Sequence, residues 1–238
     1  VPFEESVSYG GGTAQGPSAI LKASWQLEQW DGKSKPCELG IHTQAVVDCR
    51  AKAETVIENI AQATKKACVL GKIPVVLGGE HTVTYGVIKG IIESGITEIG
   101  VVQIDAHADL RDRYENNPLS HASVMKRIVD LGVPLFQLGI RALCEEEVET
   151  RKAYNVQYID AEDLVPNNIN EIELPNDFPQ YVFFTLDIDG IDPSVFPSTG
   201  TPVPGGLGWY QTLKLFESIV KQRTVVGFDI MEFSPIKD

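Results

Sequence analysis

The stretch EIGVVQIDAHADLRD (98–112) decides the fold. Ile99 to Ile104 is a short, almost unbroken apolar run. It is too short for a core helix and too uniformly apolar for a strand with one wet face. It therefore reads as a strand buried on both sides, the kind found in parallel sheets. The polarity then switches at once, to Asp105-Ala106-His107-Ala108-Asp109. While the chain stays extended, Asp105, His107 and Asp109 share one face. The intervening alanines leave room around them.

The same pattern recurs on either side. IPVVLGG (73–79) runs into Glu80-His81, VFFTL (182–186) into Asp187-Ile188-Asp189, and VVGF (225–228) into Asp229-Ile230-Met231-Glu232. PLFQLGI (134–140) and VQYID (156–160) read as further strands. Apolar residues at three- and four-residue spacing predict helices over 45–70, 82–94, 122–131, 144–153 and 209–222. Strands alternating with helices predict an α/β fold: a mostly parallel central sheet with helices on both faces, three layers in all. In such sheets ligands bind beyond the carboxyl ends of the strands, where the polar residues cluster here. GIDPSVFPSTGTPVPGGLG (190–208) is too long for a passive connector and is expected to serve the site.

Length and composition bound the rest. The 238 residues predict a single domain over 1–238, long enough to bury a core without disulfide or metal staples. Twenty Lys and Arg against 33 Asp and Glu give a formal charge of −13. Nucleic acid is excluded as a partner on that count, since binding it rests on Lys and Arg neutralising phosphates. No apolar run reaches membrane-spanning length, and VPFEESVSYGGG lacks the basic and apolar regions of a signal peptide. Cys37, Cys49, Cys68 and Cys144 form no CxxC pair. They are expected to be reduced thiols in a cytoplasmic protein.

Four carboxylates and two imidazoles at one sheet edge repel strongly without a cation. Asp105, Asp109, Asp187, Asp189, His81 and His107 therefore read as a divalent metal site. The donors are oxygen-rich and contain no cysteine, which favours Mn²⁺ over a structural zinc. Six ligands are many for one ion, and two ions sharing carboxylates fit better.

At this point the sequence resembles the ureohydrolase family, which includes arginase, agmatinase, guanidinobutyrase, proclavaminate amidinohydrolase and formiminoglutamase. The matching motifs are GGEHTVTYG (78–86), DAHADLRD (105–112), SHASVMKR (120–127), LDIDGIDPSVFPSTGTPVPGG (186–206) and GFDIMEFSP (227–235). SYGGGTAQGP (8–17) resembles the family's N-terminal glycine-rich loop. The resemblance implies an arginase-like fold with two manganese ions, Asp105 and Asp187 bridging them. It implies His121 as proton shuttle and Glu232 as the acid that pairs with a guanidinium. It also implies a homo-oligomer, a trimer or hexamer. Relative to the family, the first strand and a C-terminal helix are incomplete at VPFE and SPIKD. GGEH stands where many members have GGDH, and Glu80 is not expected to bind metal.

A guanidinium carbon is a poor electrophile and neutral water a poor nucleophile, so two divalent ions supply what the reaction lacks. Glu232 would hold the guanidinium by a charge-assisted pair. His121 would move a proton to the leaving amine. Asp229 would orient a ligand from behind. His42 has no acidic neighbours and is assigned to the surface. LRDRYENNPLS (110–120) resembles agmatinases more than arginases, so the expected substrate is a small cationic guanidine, agmatine, giving putrescine and urea. Guanidinobutyrase, or another guanidino-acid or formimino hydrolase, is the alternative, with Arg111, Arg113 or Arg141 pairing a carboxylate. The acidic run Glu145-Glu146-Glu147 is expected to be a solvated helix start. A deacetylase-like amidohydrolase with one zinc is a more distant alternative, distinguishable by metal content.

Overall fold

The computed structural model describes residues 1–235. Its strands are β1 (Val75–Leu77), β2 (Ile99–Ile104), β3 (Leu135–Leu138), β4 (Gln157–Ile159), β5 (Tyr181–Asp187) and β6 (Thr224–Met231). They form one sheet in the order β1-β6-β5-β2-β3-β4, and every pairing is parallel. From β2 the chain steps outward to β3 and β4. It then returns to β5 on the other side of β2 and steps outward to β6. The β2–β5 seam is thus a topological switch point, where a crevice opens at the carboxyl end of the sheet.

The helices are α1 (Gly16–Ser24), α2 (Ala53–Val69), α3 (Val83–Glu93), α4 (Val124–Asp130), α5 (Glu145–Ala153), α6 (Ala161–Leu164) and α7 (Trp209–Gln222). Side-chain alternation along the strands feeds two separate cores. Ile99, Val101, Leu135 and Phe183 pack with Ile60, Val87, Ile91 and Ile128 of α2, α3 and α4. Val102, Ile104, Phe136, Leu138 and Phe184 pack with Leu164, Leu215 and Ile219 of α6 and α7. The expected three-layer arrangement is what forms.

The helix expected over 45–70 begins only at Ala53. Asp48 explains the shortfall: its carboxylate accepts the Arg50 backbone N–H at 3.1 Å and the Arg50 guanidinium at 2.7 and 2.8 Å. This local bonding competes with helix formation. Helices α1 and α6 were not expected. The last residues of SPIKD, at which the family's C-terminal helix was read as incomplete, lie outside the described residues. Among the described residues, no helix is long and apolar enough to cross a membrane.

Candidate metal centre and active site

His81 enters through a tight turn after β1. A Cβ on Gly79 would lie 2.0 Å from the Phe3 carbonyl oxygen, and one on Gly78 would lie 1.9 Å from Met231 Sδ. Both positions need glycine for lack of space. His81 Nδ1 then stands 3.1 Å from Asp105 Oδ2, 3.2 Å from Asp109 Oδ2 and 3.2 Å from Asp187 Oδ2. It is buried and makes no well-formed hydrogen bond.

A second group lies alongside. His107 Nδ1 is 3.0 Å from Asp189 Oδ2 and 3.7 Å from Asp105 Oδ1. Asp105 therefore turns one oxygen toward each group. His81, Asp105 and Asp187 can hold one metal ion, and Asp105, His107 and Asp189 another. Asp109 stands with the first group through its contact with His81. Asp187 turns Oδ2 toward His81, and its Oδ1 accepts the Asp189 N–H at 2.9 Å, as Asp105 Oδ1 accepts that of His107.

The local backbone differs from the extended DAHAD that the spacing predicts. β2 stops at Ile104, Asp105 Oδ1 accepts the His107 N–H at 2.7 Å, and Asp109 takes φ +53°. DID likewise leaves β5 as a single 3₁₀ turn over Ile188–Gly190. Turning carboxylates close on their own backbone, which an extended strand cannot do.

Charge makes the cluster expensive as it stands. Burial, with the Asp189 and Asp105 charges added, pushes the Asp187 carboxyl far above its usual range. Burial and Asp105 raise Asp109 to about 6 and raise Asp189 as well. Burial would lower His107, but the Asp105 and Asp189 carboxylates outweigh it and push His107 up to about 12. Burial opposes the charge on His81 too, and Asp105, Asp109 and Asp187 together raise it. Buried, mutually repelling carboxylates around partnerless imidazole nitrogen are what a divalent cation stabilises. The residues present fit such ions.

Glu232 follows β6 in a left-handed conformation, φ +59°, with its N–H donating to the Gly79 carbonyl at 2.9 Å. Its Oε1 accepts the His81 backbone N–H at 2.9 Å and lies 3.2 Å from His121 Nδ1. His121 opens a 3₁₀ turn capped by Ser120 at the start of α4. Burial opposes its protonation, but the Glu232 carboxylate outweighs burial and raises its pKa. His121 Nε2 is buried without a partner.

Two residues at the site, Thr185 and Ser6, carried no sequence signal. Thr185 Oγ1 lies 2.9 Å from His81 Nε2, and Thr185 pairs in register with Asp229. Asp229 is buried, accepts from Thr84 Oγ1 at 2.8 Å, and burial raises its carboxyl to about 6. It stands behind His81 with Thr185 between. Glu80 faces away from the cluster. Its carboxylate accepts the Glu5 and Ser6 N–H groups at 2.6 Å each and the Ser6 hydroxyl at 2.7 Å. Ser6 Oγ in turn accepts the His121 N–H at 3.0 Å.

The acidic helix start is not merely solvated. Glu147 is buried, caps Cys144 N–H at 2.8 Å and accepts the Leu110 N–H at 3.1 Å. Glu146 accepts the Asp112 N–H at 3.0 Å. Both therefore hold the chain just after DAHAD. The long 190–208 loop does reach the site, as expected, through Thr201 Oγ1, 3.1 Å from Asp189 Oδ2. Arg141 is consumed by the carbonyls of Gly139, Asp189, Gly190 and Val203, at 2.6–3.3 Å. His42 is exposed. A cavity of about 410 Å³ opens over the cluster and His121, with Arg111, Tyr114 and Thr201 on its walls. That is ample for a small-molecule site.

The whole chain, residues 1–238, matches the family described as the arginase family. The chain belongs to the arginase family. It is a ureohydrolase of that family, and so an enzyme. An N(1)-aminopropylagmatine ureohydrolase from Synechocystis sp. is 38% identical to it, covering 100% of this chain and 80% of the relative. An agmatinase from Pyrococcus horikoshii is 33% identical, over 98% of this chain and 82% of the relative. Among solved structures, a putative agmatinase from Clostridium difficile superposes with a TM-score of 0.85 at 31% identity, covering 98% of this chain and 86% of the other.

Proposed function

We propose that this ureohydrolase releases urea from a linear guanidine with a cationic aminoalkyl tail, and that agmatine is the substrate, leaving putrescine. The proposal includes two manganese ions held by His81, Asp105, His107, Asp109, Asp187 and Asp189. The observation that carries it is the buried Glu232 carboxylate touching His121, beside two carboxylate-histidine groups that share Asp105. A second substrate, the N(1)-aminopropyl derivative of agmatine, is favoured by the relative at 38% identity that is named for it.

When bound, two divalent ions lower the pKa of water and so supply a nucleophile near neutral pH. The chain's own residues do the rest. Glu232 offers a fixed anion to the planar guanidinium, which orients the carbon and neutralises its charge. Its own orientation is set by the His81 N–H and by His121. Water oxygen bonds to the guanidinium carbon as the bond from that carbon to the alkyl nitrogen breaks. The departing nitrogen needs a proton, and His121, raised by Glu232, is the group placed to carry one. The products are urea and an alkylammonium.

The tail assignment draws support from the arginines. A free guanidinium in the cavity would favour a carboxylate-tailed substrate. Arg141 is spent on backbone carbonyls, and Arg113 is exposed and pairs with Asp112 at 3.4 Å. Arg111 lines the cavity but packs over the Tyr114 ring at 5.6 Å.

The test is urea release by manganese-loaded protein with agmatine, N(1)-aminopropylagmatine, arginine and 4-guanidinobutyrate side by side, together with metal analysis. Agmatine is expected to lead, with about two manganese per chain. Turnover of 4-guanidinobutyrate alone would sink the cationic tail, and turnover of none would sink the reaction. The same reading carries a homo-oligomer, a trimer or hexamer, to be checked by sedimentation. The exposed Trp25, Leu27, Trp30, Leu39 and Ile41 support it.

A further inference from the structure

Two glutamines stand at one end of a buried polar row that crosses the sheet through Thr185 to Asp229. Gln103 on β2 sits in register opposite Gln137 on β3, and both are fully buried. A buried amide is costly unless its donors and acceptor are met. Here they are met in one direction only. Arg151 Nε, from α5, donates to Gln137 Oε1 at 2.8 Å. Gln137 Nε2 donates to Gln103 Oε1 at 2.7 Å and to the Ala108 carbonyl at 2.8 Å. Gln103 Nε2 donates to Asp105 Oδ2 at 2.7 Å and to the His107 carbonyl at 3.3 Å.

The far end fixes the sense of the whole chain. A guanidinium has donors and no acceptor. Its other nitrogens are locked to Asp160 by two bonds of 2.9 Å, and its plane lies over the Tyr158 ring at 4.1 Å. Gln137 must therefore turn its oxygen to Arg151 and its NH₂ to Gln103. Gln103 must then turn its NH₂ to Asp105. A flipped amide anywhere would set oxygen against oxygen, ending with a carbonyl pressed on the Asp105 carboxylate. Asp105 is gripped from the other side by the His107 N–H on Oδ1, at 2.7 Å. The two grips together set the plane of the one carboxylate that both ligand groups share.

We infer that Arg151, Gln137 and Gln103 form a one-way donor relay that positions Asp105 for metal binding, with Arg151 as a positioning residue on a helix outside the site. This rests on the proposed metal role of Asp105. Its consequence is that metal affinity, rather than folding alone, depends on a residue that touches no ligand group.

The experiment is calorimetric titration of Mn²⁺ into chelator-stripped protein: the parent chain, Gln103→Met, Arg151→Met and the double variant. Methionine matches the length of glutamine, is shorter than arginine, and removes every strong donor and acceptor. Gln103→Met is expected to weaken manganese binding about 10–100-fold, and Arg151→Met about 3–10-fold. The double variant should bind no more weakly than Gln103→Met, because a broken relay cannot be broken again. Arg151→Lys keeps one donor and should recover part of the loss. Unchanged affinity with a lowered melting temperature would overturn the relay, as would losses that multiply in the double variant. If circular dichroism shows Gln103→Met unfolded, the Arg151→Met and Arg151→Lys pair decides: equal affinity to the parent overturns the relay, and graded affinity supports it. A parent chain that binds no manganese would overturn the metal reading itself, a different failure from tight binding in every variant.

Discussion

Ser6 is fastened to Glu80 twice: its backbone N–H and its hydroxyl both donate to that carboxylate, at 2.6 and 2.7 Å. Ser6 Oγ then receives the His121 N–H at 3.0 Å, so the N-terminal segment steadies the proposed proton carrier. Glu80→Ala leaves three part-buried donors without their acceptor and is expected to cost about 1–2 kcal/mol, read by calorimetry. Glu80→Gln keeps one acceptor and should lose less. Urea release should fall further in Glu80→Ala than in Glu80→Gln; equal rates would separate Ser6 from the chemistry.

Glu232→Gln tests the guanidinium anchor. The amide oxygen can still accept the His81 N–H, so the turn should keep its shape. The lost charge should lower kcat/KM on the order of 10²–10³-fold, as for other buried charge pairs broken on one side. Manganese content should not change. A variant that retains activity would remove Glu232 from substrate binding.

Metal removal should be visible in stability as well as in rate. Exhaustive dialysis against a chelator should abolish urea release and lower the melting temperature. Restoring manganese to about a hundredfold above its Kd should return about 2.7 kcal/mol for each ion bound, roughly 5–10 °C apiece for a chain of this size. Differential scanning calorimetry at several metal concentrations checks this. A melting temperature indifferent to manganese would contradict binding at the cluster.

Glu4 gives an acid limit for the glycine-rich loop. Its carboxylate accepts the Gly12 and Ala14 N–H groups at 2.7–3.1 Å and the Thr13 hydroxyl at 3.0 Å. Burial raises its pKa, but these bonds outweigh burial and hold it below the ordinary value of 4.5. A lowered folded-state pKa means that its stabilisation is full above pH 4.5 and lost as pH falls through the folded value. The parent and Glu4→Gln should therefore differ in melting temperature at pH 6 and converge as the pH falls from 4.5 through the folded value. A gap that persists in acid would show that the charge is not what holds the loop.

Much of this arrangement was legible in the chain. Apolar runs that end abruptly in Glu80-His81, DAHAD, DID and DIME marked the strand ends, because a strand buried on both faces must be apolar and a ligand site must not be. The turns after those strands were not legible. Asp105 and Asp187 bend the backbone by accepting N–H groups two residues on, and spacing alone cannot distinguish that from an extended run. Thr185 and Ser6 escaped for another reason. Their partners His81 and His121 lie 104 and 115 residues away, and no local pattern records so distant a bond. The run before α2 misled because the hydrophobic spacing continues through Asp48, whose side chain ends the helix by local bonding.

The bond between the His81 N–H and Glu232 spans 151 residues of sequence. A ribosome adds about 5–20 residues per second. Roughly 8–30 s therefore separate the emergence of the histidine from that of its carboxylate partner. Throughout that interval the growing polypeptide carries acids meant for one small volume, without the frame that gathers them. The proposed metal ligands run from His81 to Asp189, so on that proposal loading with metal waits for at least that stretch of the chain.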